Sequence, residues 1–430
     1  MKIESVYAQE ILDSRGSPTI ETTTVLVDGS TGRSAVPSGV STGKYEAVEL
    51  RDKDKNRYKG LGVLKAIENV NGKIAKTLIG TDAEYQTKID KRMIELDGTK
   101  NKSKLGANAI LSVSLSVAKA QANHERKPLY DYLSKFNQES TDLYTMPIPE
   151  MNVINGGRHA DWSTDIQEYL LFPIGASSIT EAVRMIAEIY LYLKELLTKK
   201  GYSTTVGYEG GFAPNISSNN EPFQLLEEAI SNSGYKLGKD VFFGLDVAAS
   251  EFFHNRKYNL RKEGKLLKSG ELASFFTNLT TRYPIISIED AFSEDDWKAF
   301  SQFNKSYGEN IQIVGDDLYA TNLKRLKKGI KIKATNSILI KLNQIGTLTE
   351  TIDTIQLAKN NGMSTIISNR SGETEDDFIA DFCVAMGCGQ IKTGAPSRGE
   401  RTAKYNRLMR IERELGDKSK YATFPYTIKP

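Results

Sequence analysis

Short apolar runs, each about one strand long, recur through the second two-thirds of the chain with amphipathic stretches between them. They are YLLFP (169–173), VFFGLD (241–246), IISIED (285–290), IQIVGDD (311–317), SILIKLN (337–343), STIISNR (364–370) and GQIKTG (389–394). Most are rich in β-branched residues and lack alternation, as a strand covered on both faces requires. Several close on a charged or amide residue: Asp246, Glu289, Asp316, Lys341, Asn369 and Lys392. Successive ends lie 23 to 43 positions apart, room for one strand, one helix and two loops. A β/α barrel gathers its strand ends at one mouth, so these side chains are predicted to converge. An open doubly wound sheet would alternate in the same way, but its Gly-rich turn after a first strand is missing, which favours the barrel.

The first part of the chain has other periods. IETTTVLVD (20–28) alternates as a half-buried strand, and GRSAVP (32–37) reads as its hairpin partner across Asp28-Gly29. The loop Ser38 to Gly43 is rich in glycine and hydroxyls and is a candidate lid. From about 62 to 125 the apolar spacing is helical. The prediction is an α/β protein, with a small α+β domain over 1–135 and a β/α barrel over 140–430.

Composition narrows the partners. The 430 residues carry 57 basic and 54 acidic side chains, a net charge of +3, so no overall field draws the chain to nucleic acid or a membrane surface. No apolar run reaches the ~20 residues of a bilayer span, and the start lacks a signal-peptide core, so the cytoplasm is expected. Cys383 and Cys388 are the only cysteines, and they read as buried small hydrophobes.

Asp246, Glu289 and Asp316 would crowd three carboxylates at neighbouring strand ends, which favours a cation between them; all-oxygen ligands favour Mg²⁺. Singly, each acid could cap a helix or serve a turn, and for Gly315-Asp316-Asp317 the two readings are balanced. Lys341 and Lys392 interrupt apolar runs. Neighbouring cations would lower the pKa of such a lysine and make it a base; a structural ion pair is the alternative. Glu209, in Gly207-Tyr208-Glu209-Gly210-Gly211, could serve as an acid or be only a loop carboxylate. A metal beside a lysine base suits removal of a proton α to a carboxylate, with an opposed acid helping a hydroxyl to leave.

The chain also resembles enolase. The resemblance is carried, in order, by ILDSRGSPT (11–19), SGVSTG, NKSKLGANAIL (101–111), NVINGGRHAD (152–161), DIQEYLLFP, VGYEGGFAPN, LDVAASEF, SIED, VGDDL, ILIKLNQIGTLTET, SGETED, GQIKTG and ERTAKYNRLMRIE. It implies an enolase-type (β/α)8 barrel that begins with an antiparallel hairpin, and reversible conversion of 2-phosphoglycerate to phosphoenolpyruvate. It further implies that Asp246, Glu289 and Asp316 bind one Mg²⁺ and Ser41 a second, substrate-dependent one. Lys341 would be the base, and Glu209 and Glu168 the acids, with Gln167 beside them. Lys392 would hold the carboxylate, Arg370 and Ser371 the phosphate, and His159 a second lid. Enolases are homodimers or octamers, so the expected partners are a small phosphorylated acid and further copies of the chain.

Two departures stand out against that resemblance. Family members have Gly-Asp-Glu-Gly-Gly and Ser-His-Arg-Ser-Gly-Glu where this chain has Tyr208 and Asn369 in place of the Asp and His. A tyrosine hydroxyl can bond an amide, so the two changes are expected to compensate each other. Arg158 and Trp162 also depart. Arg158 would meet an extra anionic group of a substrate or face solvent, and Trp162 would pack on the lid or on a ligand. Three readings follow: a working enolase, a relative using the same chemistry on another phosphorylated or phosphonate acid (as carboxyphosphonoenolpyruvate synthases do), and a weakly active or non-catalytic relative.

Overall fold

The alternation at 20–28 becomes the middle strand of an antiparallel sheet in the computed structural model, which describes residues 1–39, 43–139 and 143–428. Its order is β1 (Ile3–Leu12), β2 (Pro18–Leu26), β3 (Thr31–Ala35). The sequence pattern does not announce β1, whose inward positions are broken by a register shift between Ile3 and Ser5. The helix Ala107–His124 lies on this sheet with its other side against the barrel, so it is buried almost all round. Two of its serines face the sheet: the hydroxyls of Thr22 and Ser112 lie 2.6 Å apart and those of Thr24 and Ser116 2.7 Å apart. Gly32 lets β3 touch the helix backbone; a Cβ there would stand 2.1 Å from the Ser116 carbonyl oxygen.

Eight strands close the barrel, and we number them first to eighth in chain order: Ile148–Asn155, Glu168–Phe172, Phe242–Asp246, Ile285–Glu289, Gln312–Gly315, Ser337–Ile340, Ser364–Ser368 and Gly389–Lys392. Seven coincide with the apolar runs of the sequence. The first does not, because Pro149, Glu150, Asn152 and Asn155 interrupt its apolar character. The second strand runs antiparallel to both neighbours, and the remaining pairings are parallel. That reversal brings the start of the second strand to the mouth, where Glu168 lies opposite Asp246.

The interior is stacked by polarity. Ile148, Leu170, Phe172, Phe242, Ile286 and Phe424 plug the far end. Val314, Leu339 and Ile366 form an apolar patch within the barrel. The charged ends of the strands lie at the mouth, and the N-terminal sheet joins that side through Ser38, whose backbone bonds Gly372 in both directions at 2.8 and 2.9 Å.

Gly32→Ala forces a methyl against helix backbone that cannot rotate away. It should destabilise the protein by about 1–3 kcal/mol, the usual cost of overpacking, seen as a lower urea midpoint with unchanged slope.

Candidate active site

Neighbouring strand ends converge as their spacing predicted. Asp246 and Glu289 are in register on the third and fourth strands, and Asp316 follows the fifth directly. The Lys392 ammonium stands among Glu289 at 2.8 Å, Asp246 at 3.1 Å and Glu168 at 3.1 Å, all buried. Lys341 donates to Asp316 Oδ2. Gln344 donates to Asp316 Oδ1 at 2.9 Å. The Thr321 hydroxyl donates to Gln344 Oε1 at 2.7 Å and accepts the Lys341 amide at 3.0 Å. One polar chain therefore orients both the acid and the lysine.

Asp290, which sequence reasoning passed over, shapes this turn. Its carboxylate accepts the amides of Asp316 at 3.0 Å and Asp317 at 2.9 Å, from a left-handed backbone with φ +42°. The acid pair in SIED was the available signal. Burial, reinforced by Asp316, pushes the Asp290 carboxyl up to about 8.

The charges at the mouth bias one another strongly. Burial and then Asp246 raise Glu289 well above the carboxylate range, while Lys392 opposes them. For Asp316 burial acts in the same direction, but the Lys341 ammonium outweighs it and holds the acid low. Burial lowers Lys341, yet Asp316 holds it above its ordinary value, with Arg370 and Lys392 pulling downward. Lys341 thus forms the ion pair with Asp316 that the sequence left open as the alternative to a base. Lys392 is likewise held well above its ordinary value by Asp246, Glu168 and Glu289 despite burial.

Asp246, Glu289 and Asp316 fit a divalent ion: they offer only oxygens, all are buried, and Glu289 Oε1 has no hydrogen-bond partner. A second acid group, Asp290, Asp316 and Asp317, brings its oxygens within 4.8 Å of one another. Ser41, the candidate ligand of a second ion, lies outside the described residues.

The opposite wall carries His159, Glu168 and Glu209. The His159 Nδ1 lies 3.3 Å from Glu168 and 4.0 Å from Glu209, while Gln167 reaches Asp246 at 3.5 Å. Burial opposes ionisation of Glu209, but His159, then Arg401, Lys392 and Lys341, bring its carboxyl down to about 2. Glu168 is raised instead, by burial and by Glu209 beside it. Of the pair, Glu168 is the one whose surroundings favour a proton. Gly207 is required beneath Glu209, since a Cβ there would stand 2.6 Å from Asn155 Oδ1.

Arg370 forms a fork with Glu46, at 2.9 and 3.1 Å, and donates to Asn343 at 2.9 Å. Ser371 lines the same cavity as His159, Gln167, Glu168, Glu209, Asp246, Asp316, Lys341, Arg370 and Lys392. Arg401, fully buried, ties its walls: it donates to the carbonyls of Arg370 at 2.7 Å, Ser371 at 2.8 Å and Tyr208 at 3.0 Å. It lay unremarked within ERTAKYNRL, since nothing in a surface-style helix marks an arginine as internal.

The departures from the family resolve differently. The expected bond between Tyr208 and Asn369 is not made. Tyr208 is 39% exposed and sets its ring edge-on to His159, with centroids 6.3 Å apart. Asn369 is 2% exposed, gives its amide to the Arg370 carbonyl at 3.1 Å, and leaves Oδ1 without a partner. The physical reason is direction: the loop aims the phenol outward while the seventh strand buries the amide. Arg158 is exposed, as the solvent-facing reading expects, and donates to both oxygens of Glu251 at 3.1 and 3.3 Å. Trp162 packs on protein, with the Arg261 guanidinium 4.9 Å from its ring centre.

The class follows from this architecture: a β/α barrel roofed by an α+β unit, with a mouth of carboxylates and lysines suited to a divalent metal and lyase chemistry. Residues 3–133 match the family described as Enolase, N-terminal domain, and residues 143–428 match Enolase, C-terminal TIM barrel domain. The chain belongs to the enolase family. Among the described residues no helix is long and apolar enough to cross a membrane.

Lys392→Met leaves Glu168, Asp246 and Glu289 buried without their cation. In metal-free buffer it should lower stability by about 3–5 kcal/mol, and added Mg²⁺ should restore part of the loss, read from melting temperatures with and without the ion.

Proposed function

We propose that the chain is an enolase that carries out Mg²⁺-dependent, reversible dehydration of 2-phospho-D-glycerate to phosphoenolpyruvate. One observation carries this reading: Lys341 and Glu168, whose carboxyl burial and Glu209 raise above its ordinary range, line a single buried mouth from opposite walls, with the carboxylate cluster between them. Asp246, Glu289 and Asp316 would hold Mg²⁺, which when bound would supply positive charge beside the substrate carboxylate.

Lys341 is the base for the C2 proton. Its affinity for that proton rests on Asp316. With Asp316 engaged elsewhere, Arg370 and Lys392 are the cations left to depress it, so the base is primed as the site fills. Glu168 gives its proton to the C3 hydroxyl, which departs as water. Glu209, ionised beside His159, keeps that proton on Glu168. Lys392 anchors the substrate carboxylate, and Arg370 with Ser371 the phosphate, which must compete with Glu46 for the guanidinium. Asn369 keeps the seventh strand end polar but carries no charge, so Glu209 lacks the second imidazole the family places nearby.

That unpartnered Asn369 carbonyl favours one second reading, an enolase relative whose substrate is another phosphorylated or phosphonate acid. Its Oδ1 is a buried acceptor open to a donor that 2-phosphoglycerate need not supply.

Purified protein with Mg²⁺ and 2-phosphoglycerate should develop the absorbance of phosphoenolpyruvate, and Lys341→Ala should slow it by about 10²–10⁴-fold, the usual contribution of a general base. A wild-type rate no faster than this variant would reject the reading. Asn369→His, which puts an imidazole into the cavity that Glu209 lines, should raise kcat, with Tyr208→Asp acting independently because the two side chains point apart; no rise in kcat would point to the second reading.

A further inference from the structure

One carboxyl beneath the mouth has no part in this chemistry. Glu150, in the first barrel strand, is 1% exposed and lies in ladder register with Lys392 on the eighth, so both side chains enter the barrel interior. Its Oε1 accepts from Gln390 Nε2 at 3.1 Å. Gln390 and Gln312 exchange amide hydrogen bonds at 2.7 and 2.9 Å, and Gln312 continues to the hydroxyls of Ser337 at 3.1 Å and Ser364 at 3.0 Å. This polar layer crosses the barrel from the first strand to the fifth, beneath the lysines.

Among the described residues no basic nitrogen stands within ion-pair distance of Glu150, since Lys392 spends its contacts on Glu168, Asp246 and Glu289. The titratable groups facing Glu150 are Lys392 from the eighth strand, Glu168 from the second and the buried Cys383 thiol of the helix Phe378–Met386; Gln390 and Gln312 are neutral. Burial and Glu168, opposed by Lys392, push its carboxyl up to about 8. It is therefore a neutral acid at pH 7. An apolar side chain would fill the space without desolvating a carboxyl, so packing alone does not explain it.

The partners of Lys392 are the groups that ligands would claim. A cation held by Asp246 and Glu289 removes two of its three carboxylates and adds repulsion, and an anionic substrate draws the ammonium upward. We propose that Glu150 is a positioning residue for Lys392, supplying from beneath the mouth the counter-charge that keeps the ammonium in place when ligands occupy the carboxylates above it. Glu150 gives up its proton as the site fills, so ligand binding is linked to proton release. Only the choice of substrate in the test below rests on the enolase reading.

Glu150→Gln keeps the shape and the acceptor for Gln390 but cannot ionise. The infrared difference between wild type and Glu150→Gln should show the carbonyl band of a protonated carboxyl at pH about 6.5, absent at pH about 9.5. Mg²⁺ alone should weaken that band at the lower pH, and Mg²⁺ with 2-phosphoglycerate should abolish it. In turnover, Glu150→Gln should raise KM about tenfold, the equivalent of one unit of coupled pKa, with kcat within about twofold. The wild-type KM should fall as pH rises through about 8, where Glu150 ionises without help, and the variant should lose that dependence; Glu150→Asp should regain it. A band insensitive to Mg²⁺, or a variant with the wild-type KM and pH profile, overturns the proposal. If wild type shows no turnover, the enolase reading fails on its own, and the response of the band to Mg²⁺ still decides the role of Glu150.

Discussion

The structure depends on charge balance in a space without water. Glu168, Asp246 and Glu289 share the Lys392 ammonium, and Asp316 holds Lys341. Neither lysine could be buried at the barrel mouth without those acids, and the acids could not crowd together without the lysines or a metal. The arrangement is a poised one. Whatever cation enters must take carboxylates from the lysines, and the lysines must then find new anions, which a carboxylate and a phosphate on one small molecule supply. Buried ion pairs contribute little net stability on average, so retaining this many at one end of a barrel is better explained by chemistry than by folding.

The fold serves this balance by presenting side chains from many separated segments at one height. Parallel strands deliver their last residues to the mouth, and the reversed second strand delivers its first, which is how Glu168 joins Asp246. Loops beyond the strands are then tied together from behind. Asp290 fixes the two amides after the fifth strand, and Arg401 binds carbonyls from the seventh-strand loop and the Glu209 loop. Each tie sets a buried polar side chain on backbone, where a displacement would strand it without a partner. The N-terminal unit closes one side through Ser38 and through Glu46, which grips Arg370.

The departures from the family lie where that balance is least symmetrical. The His159 ring lies between Glu168 and Glu209 on the lid side, while Lys392 reaches Glu168 from within the barrel. Asn369 contributes dipoles in place of a charge, and Tyr208 covers the outer face of His159 with an aromatic edge. The acid side is therefore altered in charge while the metal side keeps its full donor set. Any shift in activity or substrate should originate there, because the strength of an acid in a low-dielectric site follows the charges within a few ångströms.

How much of this was legible in the chain follows from what is local and what is not. The barrel, seven of its eight strands, the β2–β3 hairpin and the residues of the mouth could be read directly, because apolar runs ending in charge at regular intervals have few other foldings. The first barrel strand and β1 could not, since polar residues that face a charged interior or a domain junction look like loop when seen one at a time. Sequence likewise identified Lys341, Lys392, Glu168 and Glu209 without deciding their protonation, nor which carboxylate each lysine would hold. It offered Tyr208 and Asn369 as a compensating pair, and the backbone turned them apart. Glu150, Asp290 and Arg401 went unremarked because their roles exist only through burial and through partners 26 to 240 positions away. The sequence determined which charges the protein carries inward; the tertiary structure decided which of them meet, and in a medium that screens so weakly a difference of a few ångströms settles which group keeps the proton.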